Sequence, residues 1–174
     1  GLCVEKCPSR KVPDRFNEEL GRTRAINIPF PQAIPKKAAI RRDYCLHYTK
    51  GKCGVCAKVC PTRAVDYDME DEIVTEEVGA VIVATGFDLF DHSVYGEYGG
   101  GRYPDVISGL QYERILSASG PYGGHIRRPS DGREPKDVVF ISCVGSRDIS
   151  VDRPYCSGVC CMVQAKQAIL TRDH

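Results

Sequence analysis

Cys53-Gly54-Val55-Cys56-Ala57-Lys58-Val59-Cys60-Pro61 spaces three thiols as C-x2-C-x3-C and follows the last with proline. This is the back half of C-x2-C-x2-C-x3-C-P, the run whose thiolates hold cubane iron–sulfur clusters. A second piece of the same run stands at Cys3-x3-Cys7-Pro8. A tight, glycine-containing loop brings several thiolates onto one cube, and the proline turns the chain away after the last of them. Two such runs in one short chain point to iron–sulfur clusters, and so to electron transfer.

The wider composition agrees. The 174 residues leave room for one medium domain or two small ones, and 42% hydrophobic content is ordinary for a soluble protein. Net charge is +1, so neither a nucleic acid nor an anionic membrane is implied as a partner. The longest apolar stretch, Ala80 to Ala84, is far below the roughly 18 residues of a membrane span. No secretory signal is evident, so a cytoplasmic location is the default. The ten cysteines are bunched: two at 3 and 7, four between 45 and 60, four between 143 and 161. Bunching favours metal or cluster ligation over a disulfide framework. Structural zinc is the competing use, although zinc sites prefer two C-x2-C pairs and have no need of C-x3-C-P. Gly1-Leu2-Cys3 reads as the middle of a C-x2-C-G-x-C loop. The expectation is therefore an internal piece of a longer protein, cut through one cluster motif.

Residues 1–70 form the cluster territory. Between its two runs lies Lys11 to Tyr44, with Ile28-Pro29-Phe30-Pro31-Gln32-Ala33-Ile34-Pro35, whose prolines forbid a helix interior and suggest an extended arm. Thr62 to Tyr67 is expected to close a short strand. From residue 71 the character changes. Ala80 to Ala84 is continuously apolar and rich in β-branched residues, as suits a strand buried on both faces of a parallel sheet. The trailing Ala84-Thr85-Gly86 is the turn by which two-domain flavoprotein reductases pass near FAD, since small residues let backbone approach a cofactor. A plain core strand is the alternative.

Residues 91–135 are a connector rich in Gly, Tyr and Pro, with turn signals at Gly99-Gly100-Gly101 and Gly120-Pro121-Tyr122-Gly123-Gly124. Ser108 to Ser119 predicts a short helix with Leu110, Ile115 and Leu116 inward. Residues 136–174 read strand, turn, helix. Asp137 to Ser142 is a second buried-type strand, and a helix is expected near Val159 to Thr171. A nucleotide-binding βαβ unit would continue its strand with G-x-G-x-x-G. Cys143-Val144-Gly145-Ser146-Arg147-Asp148 keeps one glycine, so ordinary NAD binding is not expected.

In two-cluster ferredoxins the fourth cysteine of each run ligates the cluster of the other run. Cys45, Cys53 and Cys56 would then join Cys7 on one 4Fe-4S cluster, with the first spacer of the run expanded to Leu46–Lys52. Cys3 and Cys60 would serve another, together with two cysteines outside this chain. Lys50, Lys52 and Lys58 would favour the thiolates, or form a solvated basic face. His47 stands as a weaker candidate ligand beside a surface or hydrogen-bonding role. Cys143, Cys156, Cys160 and Cys161 have three possible uses. They suit a further cluster, a redox-active thiol pair at a helix start or buried structural cysteine.

Several of these strings resemble the A subunits of CoB–CoM heterodisulfide reductases. They are Ile28-Pro29-Phe30-Pro31-Gln32-Ala33, Gly51-Lys52-Cys53-Gly54-Val55-Cys56, Ala84-Thr85-Gly86-Phe87 and Pro129-Ser130-Asp131-Gly132. Cys143 to Asp148, and Pro154-Tyr155-Cys156-Ser157 with Cys160-Cys161-Met162, complete the set. The resemblance covers nearly the whole chain. It implies an iron–sulfur flavoprotein with a thioredoxin-reductase-like core of FAD/NAD type and an inserted ferredoxin-like module. The implied fold is an α+β ferredoxin-like cluster module at 1–70, then part of an α/β domain. Residues 71–135 would complete an FAD-binding domain, and 136–174 would begin a degenerate second dinucleotide-type βα unit. Thr85 and Gly86 would neighbour the flavin. Implied partners are the other reductase subunits, a hydrogenase or formate dehydrogenase as electron donor, and ferredoxin. The chain alone is not expected to be catalytic. The same module in a quinone-linked sulfate-reduction complex, or a zinc-stabilised interaction domain, are the alternatives.

Overall fold

The computed structural model describes residues 1–174. Helix α1 (Leu2–Lys6) stops at Cys7, whose backbone is extended at φ −60° and ψ 125°. Pro8 is the cause, because a residue before proline is pushed out of the helical region. The same device recurs at the end of α3 (Val55–Val59). There Cys60, before Pro61, takes φ −79° and ψ 112°. Helix α1 packs directly against α3.

Between them the expected extended arm folds into two short antiparallel pairs. Strand β1 (Val12–Pro13) pairs with β2 (Arg22–Thr23), and β3 (Ile26–Asn27) with β4 (Ala39–Ile40). The prolines from Pro29 to Pro35 lie in the loop of the second pair. Helix α2 (Leu46–Lys50) follows, starting from Cys45. It ends at Gly51, at φ +64°, whose N–H bonds the His47 carbonyl at 2.9 Å. A glycine is suited to that left-handed stop because it has no Cβ to clash. The long spacer between Cys45 and Cys53 is therefore one helical turn with a glycine brake. One core gathers here, with Val12, Ala25 and Ile26 buried among Cys7, Cys45 and Cys56.

A second core forms around α4 (Gly109–Leu116) and α5 (Cys160–Asp173), which pack together. Ser108 caps α4 reciprocally. Its hydroxyl accepts the Gln111 N–H at 3.1 Å, and the Gln111 side chain accepts the Ser108 N–H at 2.9 Å. Ile115 and Leu116 are buried as expected, but Tyr112 takes the inner position while Leu110 is only half-buried. Gln167 of α5 is buried and donates to the Gly109 carbonyl at 2.8 Å. The two cores are tied through residues 16–20. The Arg114 guanidinium lies 4.3 Å over the Phe16 ring and donates to the Asn17 side chain at 3.1 Å.

Three expected strands do not form. Ala80 to Ala84 lies exposed, with Ile82 90% accessible. A strand needs at least one hydrogen-bonded neighbour, and neither strand pair of this chain extends to it. Asp137 to Ser142 has no ladder either, but it keeps strand-like alternation. Val138 and Phe140 pack on the α4 core, while Val139 and Ile141 face outward. Thr62 to Tyr67 also lacks a partner strand, with Val65 and Tyr67 turned to the first core.

Candidate metal centre

Four cysteines from two distant runs line one cavity: Cys7, Cys45, Cys53 and Cys56. The cavity has about 330 Å³ of atom-free space, part of it open to solvent, and is otherwise walled mainly by apolar groups such as Ala25, Ile26 and Ile40. Each thiol arrives by a different local device. Cys7 closes α1, Cys45 opens α2, Cys53 follows the Gly51 turn and Cys56 lies within α3. Cys7, Cys45 and Cys56 are buried and Cys53 is half-buried, and all four thiols are free of disulfides.

Backbone ties hold the walls. The Arg24 guanidinium donates to the Cys7 carbonyl at 2.6 Å. The Ser9 hydroxyl donates to the Tyr44 carbonyl at 2.8 Å, locking the end of the first run to the start of the second. Lys50, Lys52 and Lys58 are exposed, and none forms an ion pair with an acid.

His47 lines the cavity and donates from Nδ1 to the Cys53 carbonyl at 2.8 Å. Its ring stacks on Tyr67, with centroids 3.8 Å apart and planes 11° from parallel. The Tyr67 hydroxyl lies 2.9 Å from Cys56 Sγ. Burial, then the Cys56 thiol, pushes the Tyr67 phenol upward from its ordinary range. Sequence reasoning gave Tyr67 no part in the site. Its signal was faint: an aromatic seven residues beyond the last cysteine of the run, in a short alternating stretch.

Cys3 and Cys60 lie outside the cavity, on the packed α1–α3 pair. The Cys60 thiol is held below its usual range, first by the Thr62 hydroxyl and then by the Ala64 N–H, which donates to its sulfur at 3.3 Å. This set of contacts suits a thiolate.

The third cysteine group is assembled by a folded-back loop. The Asp148–Arg153 bridge, and the Arg147 N–H donating to the Tyr155 carbonyl at 2.8 Å, return the chain from Cys143 to Cys156. Buried Ser146 clips the loop, donating to the Tyr155 carbonyl at 3.1 Å and accepting the Ser157 N–H at 3.0 Å. Cys160 and Cys161 then open α5. The Ser157 hydroxyl lies 3.2 Å from Cys160 Sγ and is the first cause holding that thiol below its usual range, ahead of backbone groups of Cys143, Cys160 and Cys161. Cys156 and Cys161 are exposed, and Cys143 and Cys160 half-buried.

Thr85 and Gly86 fare differently. Both are exposed, and neither lines this cavity or the second one, between His125 and His174. At Gly145 the Phe90 ring lies where a Cβ would be, at 2.2 Å. That glycine admits a side chain of this chain.

No family model matches the chain. It is 50% identical, over 99% of its length, to the A subunit of the H2:CoB-CoM heterodisulfide,ferredoxin reductase of Methanothermobacter marburgensis. It is 47% identical, over 100% of its length, to the A subunit of the H2/formate:CoB-CoM heterodisulfide,ferredoxin reductase of Methanococcus maripaludis. It is 45% identical, over 100% of its length, to the iron-sulfur A subunit of the CoB–CoM heterodisulfide reductase of Methanocaldococcus jannaschii. The resemblance read from the residues is thereby shown, and the chain spans about a quarter of the length of these relatives, 25% of the first and 26% of the others.

Proposed function

We propose, from its likeness along nearly its whole length to the A subunits of the heterodisulfide reductases, that this chain is the electron-transfer segment of such a protein. The observation that carries the reading is the gathering of Cys7, Cys45, Cys53 and Cys56 around one cavity. These four would hold a 4Fe-4S cluster. When bound, such a cluster accepts and releases single electrons without rearranging bonds in a substrate.

The donor set fits that group. Four cysteines around one cavity supply the one thiolate that a cube takes at each of four separate irons, and iron and sulfide content separates this use from structural zinc. The chain's part is to deliver deprotonated sulfurs and wall them from water. Ile26, Ile40 and Ala25 supply the apolar wall, and Lys50, Lys52 and Lys58 offset negative charge at the surface.

Cys3 and Cys60 would serve a neighbouring cluster with cysteines from elsewhere. Cys143, Cys156, Cys160 and Cys161 would hold a third, because the folded-back loop brings both ends of the group to the start of α5. Residues 1–70 would be a ferredoxin-like module, 71–135 part of a flavin-binding domain, and 136–174 the start of a degenerate dinucleotide-type unit. In the full-length protein FAD would pass near Thr85 and Gly86, with its pyrophosphate held by residues outside these 174. Partners would be the other reductase subunits, ferredoxin, and a hydrogenase or formate dehydrogenase as donor. No helix is long and apolar enough to cross a membrane, and we place the protein in the cytoplasm.

The test is iron, zinc and acid-labile sulfide on protein purified without oxygen, with its visible spectrum. About four irons and four sulfides per cluster, lost together on Cys56→Ala, is the expected result. Zinc without sulfide would overturn the reading in favour of a structural metal domain.

A further inference from the structure

We infer that Tyr67 is a positioning residue that raises the reduction potential of the centre held by Cys7, Cys45, Cys53 and Cys56, by donating its phenolic hydrogen to the Cys56 sulfur. This rests on the cluster reading above and deepens it.

The hydroxyl and the sulfur are 2.9 Å apart. A ligating cysteine has given up its proton, so the sulfur accepts and the phenol donates. Among the four cavity cysteines, Cys56 alone carries a hydroxyl on its sulfur; the Cys7 sulfur faces the Ser9 carbonyl at 3.9 Å, which offers no hydrogen to a thiolate. The donor is therefore specific to one corner of the site.

Helix α2 fixes that donor in place. The His47 ring stacks on Tyr67, and its Nδ1 is tied to the Cys53 carbonyl at 2.8 Å. The Tyr48 hydroxyl donates to the Tyr67 carbonyl at 2.8 Å, gripping the backbone that carries the phenol. Val65, two residues earlier, turns to the same core. A phenol held this way cannot swing to water when the charge on the sulfur changes. An added electron raises negative charge on the ligand sulfurs. A fixed donor then stabilises the reduced form more than the oxidised one, and the potential rises.

The experiment compares wild type with Tyr67→Phe in the full chain, reconstituted without oxygen. Iron and sulfide are counted first, then the midpoint potential is read by redox titration followed by electron paramagnetic resonance. Equal iron in both, with one centre of the variant about tenfold harder to reduce, supports the inference; for a one-electron couple that is a drop of about 59 mV. Equal iron with unchanged potentials overturns it and leaves the cluster reading standing. Zinc without sulfide in the wild type overturns the cluster reading itself, and the inference with it.

Should Tyr67→Phe fail to fold, 3-fluorotyrosine placed at position 67 alone decides the question. The ring fluorine makes the phenol a stronger donor, so the potential of that centre rises if Tyr67 bonds Cys56. An unchanged potential overturns the inference.

Discussion

A cysteine's place in the motif says which neighbours it joins, and the structure says what surrounds it. Cys45 is the sharpest case. Its distance from Cys53 departs from the usual spacing, yet it is buried at the cavity with Cys7, Cys53 and Cys56, because Leu46–Lys50 coil into α2 and Gly51 stops them. Cys45→Ala is expected to remove about four irons per chain, the content of one cube. Cys3→Ala, outside the cavity, should leave those four in place. Iron and sulfide counts on both variants check this, and equal losses would refute the grouping. The cysteine grouping was legible because the crossed ligation of two-cluster ferredoxins pairs the last thiol of one run with the first three of the other, and the four line one cavity. Tyr67 was not, because its approach to Cys56 depends on a half-buried stretch with no motif, held by the stacking ring of His47 and the hydroxyl of Tyr48. Such contacts are written in tertiary packing rather than in local pattern.

At the scale of elements, α4 and α5 were legible in outline and missed in detail. The Ser108–Gln111 capping box marks the start of α4, and Ser108→Ala should cost about 0.5–2 kcal/mol in urea unfolding. Tyr112 was missed as a core residue because its hydroxyl is half the reason for its position: it pairs with the Thr171 hydroxyl of α5 at 2.7 Å. The same interface carries an acid-sensitive link. Lys166 first, and then Gln167, hold the Glu113 carboxyl below its ordinary range against the cost of burial. A carboxyl depressed in the folded state contributes stability above the unfolded value, near 4.5. That contribution fades as pH falls through 4.5 and then through the lower folded value. Wild type should therefore exceed Glu113→Gln in thermal midpoint at about pH 6, and the gap should close toward about pH 3. A gap that widened on acidification would refute the assignment. The strand expected at Asp137 to Ser142 belongs to this scale too. Its inward pair, Val138 and Phe140, found the α4 core, but no neighbouring strand supplied the ladder that a sequence pattern alone suggests.

Across the whole molecule, two modest cores serve 174 residues, of which only 16 are buried, and much strand-like apolar sequence stays outside them. Ile73, Val81, Ile82, Val83 and Phe87 all stand exposed along one extended stretch. Exposed apolar runs of this kind mark surfaces that usually meet other protein, and the chain matches only about a quarter of its relatives' length. Local composition made Ala80 to Ala84 look like an interior strand; what it lacks is neighbours on its edges, and those are not a property of the run itself. The consequence is measurable in the 174-residue chain by itself. Ile115, 1% exposed, is a keystone of the second core, so Ile115→Ala should cost about 2–5 kcal/mol. Ile82, 90% exposed, fills no space, so Ile82→Asp should change stability by less than about 0.5 kcal/mol. Ile82→Asp should also lower the binding of a hydrophobic dye, which Ile115→Ala should raise. Equal destabilisation by the two variants would mean that residues 80–84 are packed in a core of their own, and the extended, uncovered course described for them would be wrong.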